Sequence, residues 1–348
     1  MHFGIFMEEM RQGNSQADAF QEAFRLAEAA EAWGVDCVWL GELHFIPARS
    51  VLSAPLVGAS SIATRTKRLR VGTAVQVLPL GNPLRIAEEV ATLDHISEGR
   101  VEFGIGRSGA VRTYDILGIP YAESQARFLE ALEIILEAWK GEPFSHRGEH
   151  YRIENATVSP RPYQRPHPPL RMAATTEETF PQVGRMGLPI FVGLRAMDVA
   201  ELRTCVQAYR RAWNDAGHSG AATVYLRIPI YAGTTETAAV EEPRASITYY
   251  FQRHAELTLA GMGRAGTGPA ERRQTQADQL AKLSYEQILR TKVAFGTAAG
   301  LIDRLTELRE ELGLNGIVAE LNPGGLIPMD QVMRSLHVLA REVMPAFT

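Results

Sequence analysis

Only two cysteines occur in the 348 residues, Cys37 inside an apolar run and Cys205 inside a helical pattern. That is too few for a disulfide framework or a cysteine-based metal site, and it suits a reducing compartment, so a cytoplasmic location is expected. No run of 18 apolar residues occurs, and the opening MHFGIFMEEM has no basic segment ahead of an apolar core. Neither a membrane span nor an export signal is expected. Charge of one sign is lacking as well: 36 Lys plus Arg stand against 40 Asp plus Glu, a net of −4, which leaves no basic excess for nucleic acid. What is there is an ordinary globular composition, 45% apolar and 22% charged, in a chain long enough for two average domains or one large barrel. The partner to expect is a small molecule.

Short apolar runs alternate with longer amphipathic stretches along the whole chain. Strand-like runs fall at 2–7, 37–42, 70–78, 101–106, 170–175, 189–194, 225–233 and 316–322. Helical patterns fall at about 16–33, 52–64, 83–96, 123–139, 176–186, 198–216, 235–260, 297–312 and 329–345. Alternation without a composition break predicts a parallel sheet covered by helices, and a count of eight strands predicts an α/β fold of the (β/α)8 TIM-barrel class, one domain over 1–348. Two insertions exceed a minimal barrel. After strand 4, residues 141–169 read as a hairpin followed by a proline-rich strap; after strand 7, residues 261–290 read as a mobile, lid-like segment, glycine-rich and polar over 261–283.

The stretch VEFGIGRSG at 101–109 fits G-x-G-x-x-G through Gly104, Gly106 and Gly109. A dinucleotide loop needs a tight turn straight into a helix and an acidic residue about 20 positions on. Here the helical pattern starts only at Glu123, and Glu130, at about the right distance, lies inside that helix. The motif is better read as the end of a strand where glycines let backbone approach a ligand and Arg107 offers a guanidinium to an anion. In a barrel the chemistry gathers at the carboxyl ends of the strands. Those ends carry Met7 and Glu8, Glu42 and His44, Val75 and Gln76, Gly106 and Arg107, and Thr175 and Thr176. Glu42 and His44, two apart, point the same way if the strand continues, which suits acid–base work by an oriented imidazole. Thr175 and Thr176, followed by Glu177 and Glu178, open a helix, where hydroxyls and free N–H groups suit a phosphate. No metal is expected, because nothing completes an E-x-H pair to three or four ligands.

At these residues the chain resembles the bacterial-luciferase-like flavin-dependent monooxygenases, a (β/α)8 family, from end to end. The resemblance rests on VWLGELHF at 38–45, VGTAVQVLP at 71–79, LDHISEGRVEFGIGR at 93–107, AATT at 173–176, and the ending Gly296-Thr297, Gly316-Ile317 and Met344-Pro345. It implies reduced FMN (FMNH2) as cofactor, O2 as co-substrate and oxygenation of an organic substrate through a flavin C4a-(hydro)peroxide. It also implies that Arg107, Gly106, Ala174, Thr175 and Thr176 hold the FMN phosphate, that Ala74–Val75 is a cis peptide under the flavin ring, and that His44, oriented by Glu42, handles the proton. A separate NAD(P)H:flavin reductase and a homodimer follow from the same resemblance. Two positions depart from the pattern: Leu43 stands where the first of two histidines is found, and Gly106 where luciferase has a reactive cysteine. F420-dependent hydride transfer and non-catalytic flavin binding are the alternatives.

Overall fold

The computed structural model describes every residue except 9, 10, 12 and 261–269. Eight parallel strands close into a barrel: β1 (His2–Met7), β2 (Cys37–Leu40), β3 (Arg70–Thr73), β4 (Val101–Gly106), β5 (Leu170–Ala173), β6 (Ile190–Gly193), β7 (Val224–Ala232) and β8 (Gly316–Glu320). Each pairs with the next, and β8 pairs with β1, so no edge is left open among them. A two-residue stretch, Gln76–Val77, adds to β4, and Ala294–Gly296 adds to the end of β7.

Helices α1 (Gln16–Trp33), α2 (Pro55–Arg65), α3 (Pro83–Ile96), α4 (Val111–Ile116) and α5 (Ser124–Ala138) follow the first four strands. Next come α6 (Thr179–Met186) and α7 (Val199–Asp215), then α8 (Glu236–Glu241), α9 (Arg244–Ala260), α10 (Ala270–Ala281), α11 (Tyr285–Thr291), α12 (Ala298–Leu312) and α13 (Met329–Val338). Local chemistry sets several ends. Ser15 accepts from the Asp18 N–H to start α1, Asn82 and Pro83 start α3, and Asp198 with Glu201 forms a capping box on α7.

Alternation along the strands sorts the core into two layers. Phe3, Ile5, Val38, Leu40, Ile190, Val192, Ile317 and Ala319 face the helices, while Phe6, Cys37, Trp39, Phe191, Tyr225 and Val318 fill the barrel. Trp39 is fully buried, and its indole takes the room left by two glycines: a Cβ at Gly4 would lie 2.4 Å from Nε1, and one at Gly72 2.5 Å from the ring. Truncating such a side chain costs about 3–5 kcal/mol.

Several expectations need correction. The chain after Gly109 does turn helical at once, as α4, which is too short to show a period. The helix expected at 176 begins at Thr179 instead. The helix expected over 235–260 is split at Pro243, whose ring forbids continuation from α8 but suits the start of α9. The insertion after strand 4 needs no correction: it is the expected hairpin, Phe144–Arg147 with Arg152–Ala156, followed by the proline-rich strap. In the segment read as a mobile lid over 261–290, residues 261–269 lie outside the described residues, and the rest is helix α10, packed against α9, and helix α11.

Candidate active site

The side chains singled out above stand where the barrel strands end. β2 stops at Leu40, so Glu42 and His44 do not share a face by strand alternation. They meet in the loop: His44 Nε2 lies 2.7 Å from Glu42 Oε1. The other carboxylate oxygen accepts from Gln76 Nε2 at 2.6 Å and from the Val77 N–H at 2.8 Å. The Glu42 side chain is 5% exposed and that of His44 20%. An enclosed carboxylate anchored on the chain beyond β3 thus fixes an imidazole that still reaches solvent space. Phe45, next along, sits in the left-handed backbone region (φ 60°) with its ring exposed, an outlier for an aromatic residue directly beside the imidazole.

Beyond Thr73 the chain passes through a cis Ala74–Val75 peptide before Gln76 and Val77 pair with Ile105 and Gly106. Gln76 Oε1 is buried and has no partner. Two of the glycines of 101–109 are closely approached by the chain itself. Gly104 and Gly106 fall on the inward face of β4, where a Cβ would lie 1.9 Å from the Thr73 carbonyl oxygen and 2.6 Å from a Val75 methyl, while one at Gly109 meets nothing.

Arg107 follows directly, half-buried, donating from Nη1 to Ser124 Oγ at 3.1 Å with its Cζ 5.5 Å from the centre of the Tyr121 ring. The Tyr114 hydroxyl donates to the Arg107 carbonyl, and the Tyr121 hydroxyl to that of Ser108. Because β5 neighbours β4, the turn at 174–176 rises beside Arg107. The Ala174 N–H is committed to the Phe191 carbonyl at 2.9 Å, so it does not point at a ligand. Thr175 and Thr176 are exposed, and Thr176 Oγ1 lies 2.9 Å from Thr179 Oγ1. Thr179, one turn into the helical pattern, is a hydroxyl that the sequence reading passed over.

Across the mouth lies a second group. Glu8 is bound to Arg49 and, at 3.4 Å, to Arg227; Arg227 also donates to Glu320, which the Tyr250 hydroxyl approaches at 3.5 Å. Arg195 Nη1 donates to His254 Nε2 at 3.3 Å. Burial works to raise the Glu8 carboxyl, but Arg49 and Arg227 outweigh it and hold it below the usual carboxylate range. Burial, then Arg195, Arg49 and Arg227, push the His254 imidazole well below its ordinary value. Only Glu8 of this group was singled out from sequence. Arg227 in YLRIPIYAG and Glu320 in GIVAELN are lone charges inside apolar strands, and that was the available signal.

Comparison with known proteins gives one consistent result. The profile of a family described as luciferase-like monooxygenase matches residues 1–316. A relative, the oxygenase component of a flavin-dependent trigonelline monooxygenase of Acinetobacter baylyi, is 26% identical over 364 residues, spanning 100% of this chain and 96% of its own. The oxygenating constituent of 3,6-diketocamphane monooxygenase from Pseudomonas putida, solved with FMN, superposes with a TM-score of 0.83 at 19% identity, covering 99% of this chain and 98% of that one. A coenzyme F420-dependent tetrahydromethanopterin reductase from Methanopyrus kandleri superposes at 0.73 with 18% identity, covering 100% and 99%. The fold is thus shared by proteins that carry different deazaflavin or flavin cofactors.

Proposed function

The chain belongs to the luciferase-like monooxygenase family, and from that membership we propose that it is the oxygenase of a two-component system, using FMNH2 and O2 to oxygenate a small organic substrate. The observation that carries this reading is the Glu42 clamp, which ties His44, Gln76 and Val77 together beside the Ala74–Val75 peptide, one strand away from Arg107. The donor set suits FMN. The Arg107 guanidinium and the hydroxyls of Thr175, Thr176 and Thr179 match a phosphate monoester, and the partnerless Gln76 Oε1 matches a ring N–H. Bound FMNH2 would supply the electrons that activate O2. The protein's part is then to hold the ring against Val75, to keep bulk water from it, and to hold or move one proton at the His44 imidazole, which Glu42 orients. A separate NAD(P)H:flavin reductase supplies the reduced flavin, in keeping with a relative that is itself an oxygenase component.

Anaerobic titration followed by exposure to O2 tests this. Arg107→Ala weakens FMNH2 binding by about 1.5–3 kcal/mol, the scale of a charge-assisted hydrogen bond. His44→Ala leaves that affinity within twofold but slows product formation by about 10²–10⁴-fold. Product forms from FMN, NADH and O2 only when a reductase is added. Binding of reduced F420 but not FMNH2 would move the assignment to hydride transfer, and NADH oxidation by the pure chain with FMN alone would sink the two-component scheme.

A further inference from the structure

The chain after β4 folds back on the residue that follows the strand. From Arg107 it runs through α4 and one further turn, Tyr121–Glu123, into α5. Tyr114 and Tyr121 lie buried on that path, edge to face with ring centres 5.0 Å apart, in an apolar cluster with Val111, Leu80 and Ile119. Phenylalanine would fill the same space. The two hydroxyls instead donate to consecutive carbonyls of one turn, Tyr114 to that of Arg107 and Tyr121 to that of Ser108 at 3.3 Å. Burial, then the neighbouring Tyr121, raises the Tyr114 phenol well above its ordinary value, so it stays protonated and remains a donor. The turn needs holding. Ser108 has φ 60°, left-handed backbone that a serine adopts at a cost, and its hydroxyl also accepts from the Ala110 N–H at 3.2 Å.

The same residues seat the guanidinium. Arg107 Cζ lies 5.5 Å from the centre of the Tyr121 ring, and Nη1 donates to Ser124 Oγ at 3.1 Å; that fully buried hydroxyl donates in turn to the Tyr121 carbonyl. A guanidinium has five N–H donors, so most remain for a ligand. We propose, on the reading of Arg107 as the anchor of the FMN phosphate, that Tyr114 and Tyr121 are positioning residues that act through Arg107. They hold its backbone and its side chain in the pose that grips the phosphate. A planar fork that meets two oxygens at once works only in one geometry, and a long side chain ordered only on binding gives up affinity. Here the ordering is done beforehand, by two hydroxyls on the backbone and by a ring and a serine on the guanidinium.

FMNH2 and reduced riboflavin, which lacks the phosphate, are titrated anaerobically into the full-length protein as wild type, Tyr114→Phe, Tyr121→Phe and Arg107→Ala, and into each Phe variant combined with Arg107→Ala. The ratio of the two affinities reads the phosphate contact alone, because a loosened or partly unfolded protein weakens both flavins alike. Each Phe variant weakens FMNH2 about tenfold, the scale of one hydrogen bond, and leaves reduced riboflavin within about twofold. Beside Arg107→Ala, neither Phe substitution moves the ratio further, as expected of residues that act through Arg107. If Arg107→Ala lowers the ratio and the Phe variants do not, the two tyrosines are core alone and the proposal falls while the flavin reading stands. If Arg107→Ala leaves the ratio unchanged, Arg107 is not the anchor and both fall. Inorganic phosphate, followed by phosphorus NMR, carries the same comparison without a flavin. Weakening by all three single substitutions keeps the proposal even where no flavin binds, and phosphate binding indifferent to the Phe variants overturns it.

Discussion

At the scale of single residues, the floor of the candidate site is a fit between a small residue and a large one. A Cβ at Gly106 would lie 2.6 Å from a methyl of Val75, the residue of the cis peptide. The position where luciferase has a cysteine is therefore filled here by a neighbour's side chain. Gly106→Ala is expected to cost about 1–3 kcal/mol by overpacking. Val75→Ala makes the space, so the double variant recovers most of that loss. Urea unfolding of the four proteins measures the coupling, and strictly additive costs would show that the two residues do not compete for one volume. Much of this site was legible because its members are conspicuous: an acid and an imidazole two apart, and a guanidinium behind two glycines. The Gln76–Glu42 link was not legible, since it depends on the chain leaving β3 at Thr73 and returning as Gln76–Val77, which no periodicity announces. The contacts that the chain makes at Gly104 and Gly106 were not legible for a related reason. Sequence shows that a position is small, not whether a ligand or the chain itself claims the space.

At the scale of elements, the acidic residue that lies at about ribose distance from the glycines, inside α5, holds the hairpin. Glu130, on α5, accepts from the backbone N–H groups of His150 at 3.0 Å and Tyr151 at 2.9 Å, and lies 3.1 Å from His146 Nε2. Burial alone would raise this carboxyl, but those hydrogen bonds win and lower it. Glu130→Gln removes the charge and one acceptor, so a loss of about 1–2 kcal/mol is expected, concentrated in residues 144–156. Amide exchange of the hairpin should rise while that of β4 and β5 stays put; unchanged exchange over 144–156 would show the clamp to be dispensable. The eight strands were legible from their apolar runs, and the long helices from their period. What escaped were elements decided by something other than period: α4 by its six-residue length, the break between α8 and α9 by Pro243, and the late start of α6 by a turn in which the Thr179 N–H bonds the Thr176 carbonyl.

Across the whole molecule, the barrel interior is an apolar girdle between two charged ends, and each end keeps a histidine, His2 half-buried and His254 buried. At the amino-terminal end Arg171 bridges Glu102 and the Tyr225 hydroxyl while Arg70 holds Glu102 at 2.6 Å, and His2 packs beside Tyr225 with its Nδ1 buried and partnerless. Burial lowers His2 to about 4, with Asp36 opposing and Arg171 and Arg70 assisting. At the carboxyl-terminal end His254 is lowered by burial and by Arg195, Arg49 and Arg227. In the unfolded chain both imidazoles take up protons near 6.5. Between that value and their folded ones the unfolded state binds more protons, so their contribution is complete above about pH 6.5 and is lost as pH falls. Each group contributes a slope of up to about 1.4 kcal/mol per pH unit. Glu8 and Glu130 have lowered folded values, so their share is still complete above the unfolded carboxylate range and is lost only below it. The interval from pH 6.5 to about 4.5 therefore belongs to the histidines. Urea unfolding at pH 7.5, 6.5, 5.5 and 5.0 should show stability falling steadily over the last three, with His2→Gln and His254→Gln each flattening the fall. A wild-type curve level from 7.5 to 5.0 would mean that both ends of the barrel admit the proton without opening.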